Sequence, residues 1–293
     1  MDPAPAGSAP AAAAGGSGWS RRSTAAMHPP RTLLDPTPRV LAIRGVDLRL
    51  VDGAWPIDAA MRAEVEAHWT AATAVKAGLW NGPVVAVVAP GRPGGLEIVD
   101  GVLTGTALRD EFKTLLAWCD SGLPEIGMRN LFGSALVLSS DGALIYGRMA
   151  GSTASAGWIY PPGGGIDLED VGAEGAIDLD RVIAKELREE TGLDVADGRA
   201  EGLLVAFSGG RVSVGRVIRF AETADALAAR IRAHVATQAD PELDEVVVVR
   251  RPSDLDDRPA VMAFARLFAE RLCAGSGATG GDPFHLVRDT LES

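Results

Sequence analysis

The sequence predicts an α+β protein, and three observations carry that reading. Segments 96–103 and 211–220 alternate apolar and polar residues with the period of a half-buried strand. Segments 58–73, 108–118, 224–235 and 259–273 instead repeat their apolar residues at helical spacing. Turn residues separate these runs, Ser140-Asp141-Gly142 among them as a hairpin turn of the Asp-Gly type.

Taken in order, residues 1–38 are rich in Ala, Pro, Gly and Ser and nearly free of large aliphatics, which predicts a disordered tail. Arg21-Arg22 is followed by no apolar stretch, so it does not read as an export signal, and Met27 is a candidate translation start. Strands are expected at 40–43 and 46–51, then a helix at 58–73 with Asp58 as N-cap and Met61, Val65 and Trp69 on one face. A turn at 80–83 leads to a strand at 84–88, a strand at 96–103, and a helix at 108–118 carrying Leu108, Phe112, Leu115 and Leu116. Trp80 and Trp118 are read as core residues. Residues 39–125 form a small N-terminal α+β module, which serves either to cover a substrate site or to build a homodimer interface.

The second unit is expected over 126–273. Strands at 132–138 and 144–148 flank the Asp-Gly turn, and Trp158 to Pro162 lead into Gly163-Gly164-Gly165. A helix follows through Leu179, Val182 and Ile183 to Gly192. Beyond it come a strand at 203–207, a Gly209-Gly210 turn, an irregular strand at 211–220, and a helix at 224–235. An acidic loop at 240–245 runs into a strand at 246–249, and a closing helix spans 259–273. Residues 274–293 read as a flexible tail.

Composition narrows the function. The 293 residues carry a formal net charge of -11, which argues against a nucleic-acid duplex as partner, because phosphate binding needs clustered Lys and Arg. No run of 18 apolar residues exists, so no membrane span is expected. Cys119 and Cys273 stand far apart without metal-ligand spacing, and a reducing cytoplasm is the natural compartment. The four histidines lie away from the glycine-rich turn, so a general base should be a carboxylate.

The chemistry concentrates in Lys185-Glu186-Leu187-Arg188-Glu189-Glu190-Thr191-Gly192-Leu193. On a helix, Glu186, Glu189 and Glu190 share one stripe, because positions three and four apart are neighbours. They lean toward the apolar side and sit at the negative end of the helix dipole, where like charges call for a cation. Carboxylates beside a glycine turn make an all-oxygen site suited to Mg²⁺ or Mn²⁺ rather than zinc.

This segment resembles the Nudix box, G-x5-E-x7-R-E-U-x-E-E-x-G-U with U aliphatic. Residues 186–193 match throughout. Lys185 stands where the family has Arg, and the run from Gly164 to Lys185 is seven residues longer than the pattern. Counting forward from Gly164 puts Asp170 at the family's first Glu, and counting back from Lys185 puts Ile177 there. A loop insertion, Glu169 to Ile177, is the simplest account.

The resemblance implies a Nudix fold, an α/β/α sandwich with a mixed sheet. It also implies metal-dependent hydrolysis of a nucleoside diphosphate linked to another moiety. Mg²⁺ or Mn²⁺ would be held by Glu189 and Glu190 with the carbonyl of Gly163. Glu186 would be a third ligand or the base, and Glu245 a further carboxylate from the loop before the last strand. Arg148 would meet a substrate phosphate. Lys185 would orient the glutamates less firmly than the family's Arg, having no planar fork. The same resemblance allows a non-catalytic sensor that binds a nucleotide or sugar nucleotide, or an isomerase of isoprenoid diphosphates. The intact glutamates favour hydrolysis.

Overall fold

Strands begin where the large aliphatics do. The computed structural model describes residues 38–273; the expectations for 1–37 and 274–293, with Arg21-Arg22 and Met27, lie outside the described residues. The first half holds strands Arg39–Ile43 (β1) and Gly45–Leu50 (β2), helix Ala59–Val75 (α1), strands Pro83–Val88 (β3), Glu97–Val99 (β4) and Val102–Glu111 (β5), and helix Phe112–Asp120 (α2). The second half continues with strands Met128–Leu138 (β6), Leu144–Met149 (β7), Ile159–Tyr160 (β8) and Gly163–Gly165 (β9), then helix Leu179–Thr191 (α3). Strands Arg199–Ser208 (β10) and Arg211–Arg219 (β11), helix Ala224–Val235 (α4), strand Leu243–Val249 (β12) and helix Ala263–Cys273 (α5) complete it.

The sheet is mixed. Its main path runs β1-β10-β11-β6-β3-β5-β2, with β12, β7 and β8 continuing from β6 and β9 lying against it. The β11–β6 and β2–β5 pairs are parallel and the other pairs antiparallel. Successive residues of β6 point to opposite faces, as strand geometry requires. Ala135 and Val137 meet Ile183, Leu187 and Leu227 of α3 and α4, while Leu136 and Leu138 meet Phe264 and Phe268 of α5. Helices on both faces of a mixed sheet make this the expected α+β sandwich.

The first and second halves share hydrogen bonds. Strand β1 runs antiparallel to β10, from Arg39↔Phe207 to Ile43↔Leu203, and β3 joins β6 through Val87↔Arg129 and Val88↔Met128. Helices α1 and α2 cover the rest of the first half over Trp55 and Trp118, whose rings meet edge to face at 5.5 Å.

Three local expectations need correction. Segment 96–103 is not one strand but the hairpin β4–β5, because Asp100 (φ 48°) and Gly101 (φ 74°) form a tight turn inside it. Residues 108–111, expected to start a helix, extend β5 against β3, and α2 begins at Phe112. Trp118 is buried, but Trp80 is 73% exposed: it follows the C-cap of α1, and its ring folds back over Gly82 with no layer above it.

Candidate functional site

Glycine places the box. Strand β9 pairs with β6 through Phe132↔Gly165, Gly133↔Gly164 and Ser134↔Gly163. A Cβ on Gly163 would lie 2.2 Å from the Gly133 carbonyl oxygen, and one on Gly164 would lie 2.5 Å from the Glu186 carboxyl carbon. The third close approach is Gly133, whose Cβ would be 2.7 Å from Ile183 of α3. Side chains at 164 or 133 would push α3 off the glycine turn, and one at 163 would part β9 from β6. Helix α3 starts at Asp178, whose carboxylate accepts from the Arg181 N–H at 3.0 Å, and stops at Gly192 in the left-handed conformation.

The three glutamates form a gradient from floor to rim. Glu190 is 2% exposed, accepts the Gly163 N–H at 3.2 Å with one oxygen, and leaves the other without a hydrogen-bond partner. Glu186 lies over Gly164, and Glu189 faces solvent. Burial, then the Glu186 charge, raises the Glu190 pKa well above the carboxylate range, against the pull of the Gly163 N–H. Burial likewise pushes Glu186 up to about 7; Lys185 opposes this, and the charges of Glu189, Glu242 and Asp167 reinforce it.

Lys185 is the cation of this cluster. Its ammonium donates to Asp167 at 2.7 Å and lies 3.6 Å from both Asp170 and Glu186. It makes no pair with Glu189, the i,i+4 partner that an exposed helical face would use. Burial works against the ammonium, but the Asp167 hydrogen bond and the neighbouring carboxylates outweigh it and raise its pKa.

The extra seven residues form a closed hairpin. Val171 and Ile177 are bridged, and the Asp178 N–H donates to the Asp170 carbonyl at 2.9 Å. Excising 171–177 would join Asp170 to Asp178 and restore the box spacing, with Asp170 at the family's first Glu. Asp170 is 1% exposed, accepts the Asp167 N–H at 3.0 Å, and faces Lys185 and Arg181.

The remaining candidates lie elsewhere. Arg148 directs its guanidinium to Asp244 at 2.6 Å and Glu245 at 2.9 Å, and Glu245 also receives Arg258 at 2.7 Å. Glu245 stands in strand β12 opposite Arg148, because pairing with β7 starts at Leu243↔Met149 rather than at 246. The carboxylate that reaches the box electrostatically is Glu242. Its charge raises the pKa of Glu186 and Glu190, and partial desolvation, then Glu189 and Asp240, raise its own. Sequence reasoning marked the acidic run 240–245 and chose Glu245 from it; Glu242 is the member of that run whose charge acts on Glu186 and Glu190.

No three of these side chains among the described residues converge into a formed metal-ligand cluster. The donor set still fits a hard divalent cation: its polar atoms are carboxylate oxygens, and one buried oxygen of Glu190 has no partner.

Against known proteins, no family model and no curated protein matches the sequence. Solved structures similar in fold include a Nudix hydrolase from M. smegmatis, RenU, at 14% identity, covering 53% of this chain and 91% of that one with a TM-score of 0.35. A MutT protein from Methanosarcina mazei Go1 is 19% identical over 51% of this chain and 96% of its own, with a TM-score of 0.34. A bifunctional NMN adenylyltransferase/ADP ribose pyrophosphatase from Francisella tularensis, complexed with AMP and Mn ion, is 16% identical. This chain matches 42% of that enzyme, with a TM-score of 0.33. Nudix is thus the family named by the first of these structures and resembled by residues 163–193.

Proposed function

We propose that the chain is a metal-dependent hydrolase of the Nudix kind. It would cleave the diphosphate linkage of a nucleoside diphosphate joined to another moiety, such as a nucleotide or sugar, in the cytoplasm. The observation that carries this reading is the buried Glu190 carboxyl, with an unpartnered oxygen beside Glu186, where the cation paired with Glu186, Lys185, is already engaged by two aspartates. Glu189 and Glu190 would hold Mg²⁺ or Mn²⁺ with the carbonyl of Gly163, Glu186 would be a third ligand or the base, and Glu242 is better placed than Glu245 to join them. Once bound, such an ion supplies charge neutralisation on the diphosphate and a more acidic water.

The residues themselves do the rest. In the role of base, Glu186, whose pKa burial pushes up to about 7, is suited to take a proton from water near neutral pH. Lys185 fixes the Glu186 carboxyl from one side, while Gly164 leaves room for it. Arg148, at the end of β7, would exchange Asp244 and Glu245 for a substrate phosphate.

A panel of nucleoside di- and triphosphates, sugar nucleotides, dinucleotides and coenzyme A, each with Mg²⁺ or Mn²⁺, tests the reading. At least one member should release a phosphorylated product, with Glu189→Gln slower by about 100-fold or more. No product from any member, or equal rates for wild type and Glu189→Gln, would leave the binding or sensor reading. Lys185→Arg should raise kcat severalfold, because a planar fork can span Asp167 and Asp170 while facing Glu186. An unchanged or lower kcat would refute that account of the lysine.

A further inference from the structure

We propose that the seven-residue hairpin 171–177 is a strap through which the N-terminal half positions the box carboxylates, with Gly175, Asp170 and Asp167 as positioning residues. Its effect on metal binding rests on the hydrolase reading; its docking does not.

Strand β2 ends the main path of the sheet, so its outer edge needs a partner. The strap supplies one. Ile177 N–H donates to the Leu48 carbonyl at 3.0 Å, and Ala176 bridges Arg49 in antiparallel fashion. At the tip, Glu174 (φ 57°) and Gly175 (φ 77°) are both left-handed, which turns the chain back within one residue of β2. A Cβ on Gly175 would lie 2.2 Å from the Leu50 carbonyl oxygen, so this contact admits only glycine. Ile177 and Val171 then join Leu48 and Leu103 of the first half and Leu179 and Val182 of α3 in one apolar cluster.

Both ends of the strap lead to the box. Its C-terminal end continues into Asp178, the N-cap of α3, and its N-terminal end is Asp170, which with Asp167 holds Lys185 against Glu186. Shifting the strap on β2 would therefore move the helix start and the lysine that steadies the glutamate. Decoration of the surface would require neither the glycine contact nor the buried aspartate.

Two variants of the full chain test this: deletion of 171–177, which restores the family's spacing, and Gly175→Val, which blocks docking but keeps the length. Amide hydrogen exchange over 181–190 and Mn²⁺ affinity, read as free Mn²⁺ by electron paramagnetic resonance, are measured on both. The strap predicts faster exchange in α3 and Mn²⁺ affinity lower by about tenfold, the usual effect of losing an outer-shell partner. Wild-type exchange in α3, or faster exchange with unchanged Mn²⁺ affinity, would overturn it; a strap that merely braces β2 gives the latter. Should the deletion fail to fold, Gly175→Val decides alone. Wild type that takes up no Mn²⁺ sinks the hydrolase reading, and the exchange data then judge the strap by themselves.

Discussion

Glu186→Gln is expected to leave the protein without measurable turnover and yet more stable than wild type at pH 8 in the absence of divalent ions. The side chain is 15% exposed and its pKa stands at about 7, against an ordinary 4.5. Below pH 4.5 the carboxyl is protonated in both the folded and the unfolded chain, so it changes nothing. As pH rises from there to about 7 the unfolded chain ionises while the folded chain keeps its proton, and stability falls. Above that range the full penalty is in place, about 3 kcal/mol at 1.36 kcal/mol per unit. Glutamine keeps the shape and never ionises. Urea midpoints in EDTA should therefore favour Glu186→Gln at pH 8 and converge at pH 4. Added Mn²⁺ should reverse the order, because only wild type gains binding energy. A gap of equal size at both pH values would show that the ionisation of Glu186 costs the fold nothing.

Much of this was legible in the residues because it depends on local spacing. The stripe of Glu186, Glu189 and Glu190 follows from helical periodicity, and the three glycines from the need for close backbone approach. The place of Asp170 was undecidable in sequence, since two counts disagreed. The fold decides it by pinching 171–177 into a hairpin whose ends meet. The pairing of β1 with β10 was beyond reach for another reason: a strand of five residues carries no mark of a partner some 160 positions away. Asp100-Gly101 was legible and missed, because the alternation on either side continued through the turn. Trp80 shows the reverse limit: hydrophobicity predicts burial only where another element arrives to cover the ring.

Glu242 and Glu245 divide the reading of the sequence from that of the structure, and kinetics should separate them. Glu242→Gln is expected to lower kcat by about 100-fold or more, the range of a carboxylate that serves metal or proton transfer. Its charge also helps raise the pKa of Glu186, so the same substitution should lower the Glu186 titration midpoint, measured by carboxyl carbon NMR without metal. Glu245→Gln should act differently. Its carboxylate neutralises Arg148 and Arg258 at a partly exposed position, an arrangement worth about 1 kcal/mol or less. Removing one of the two carboxylates that hold Arg148, with Asp244 still paired to it, should move KM with kcat nearly unchanged, as expected where binding rather than the transition state is altered. Loss of kcat in Glu245→Gln together with wild-type kcat in Glu242→Gln would return the fourth carboxylate to strand β12. It would also require Arg148 and Arg258 to release it when substrate binds.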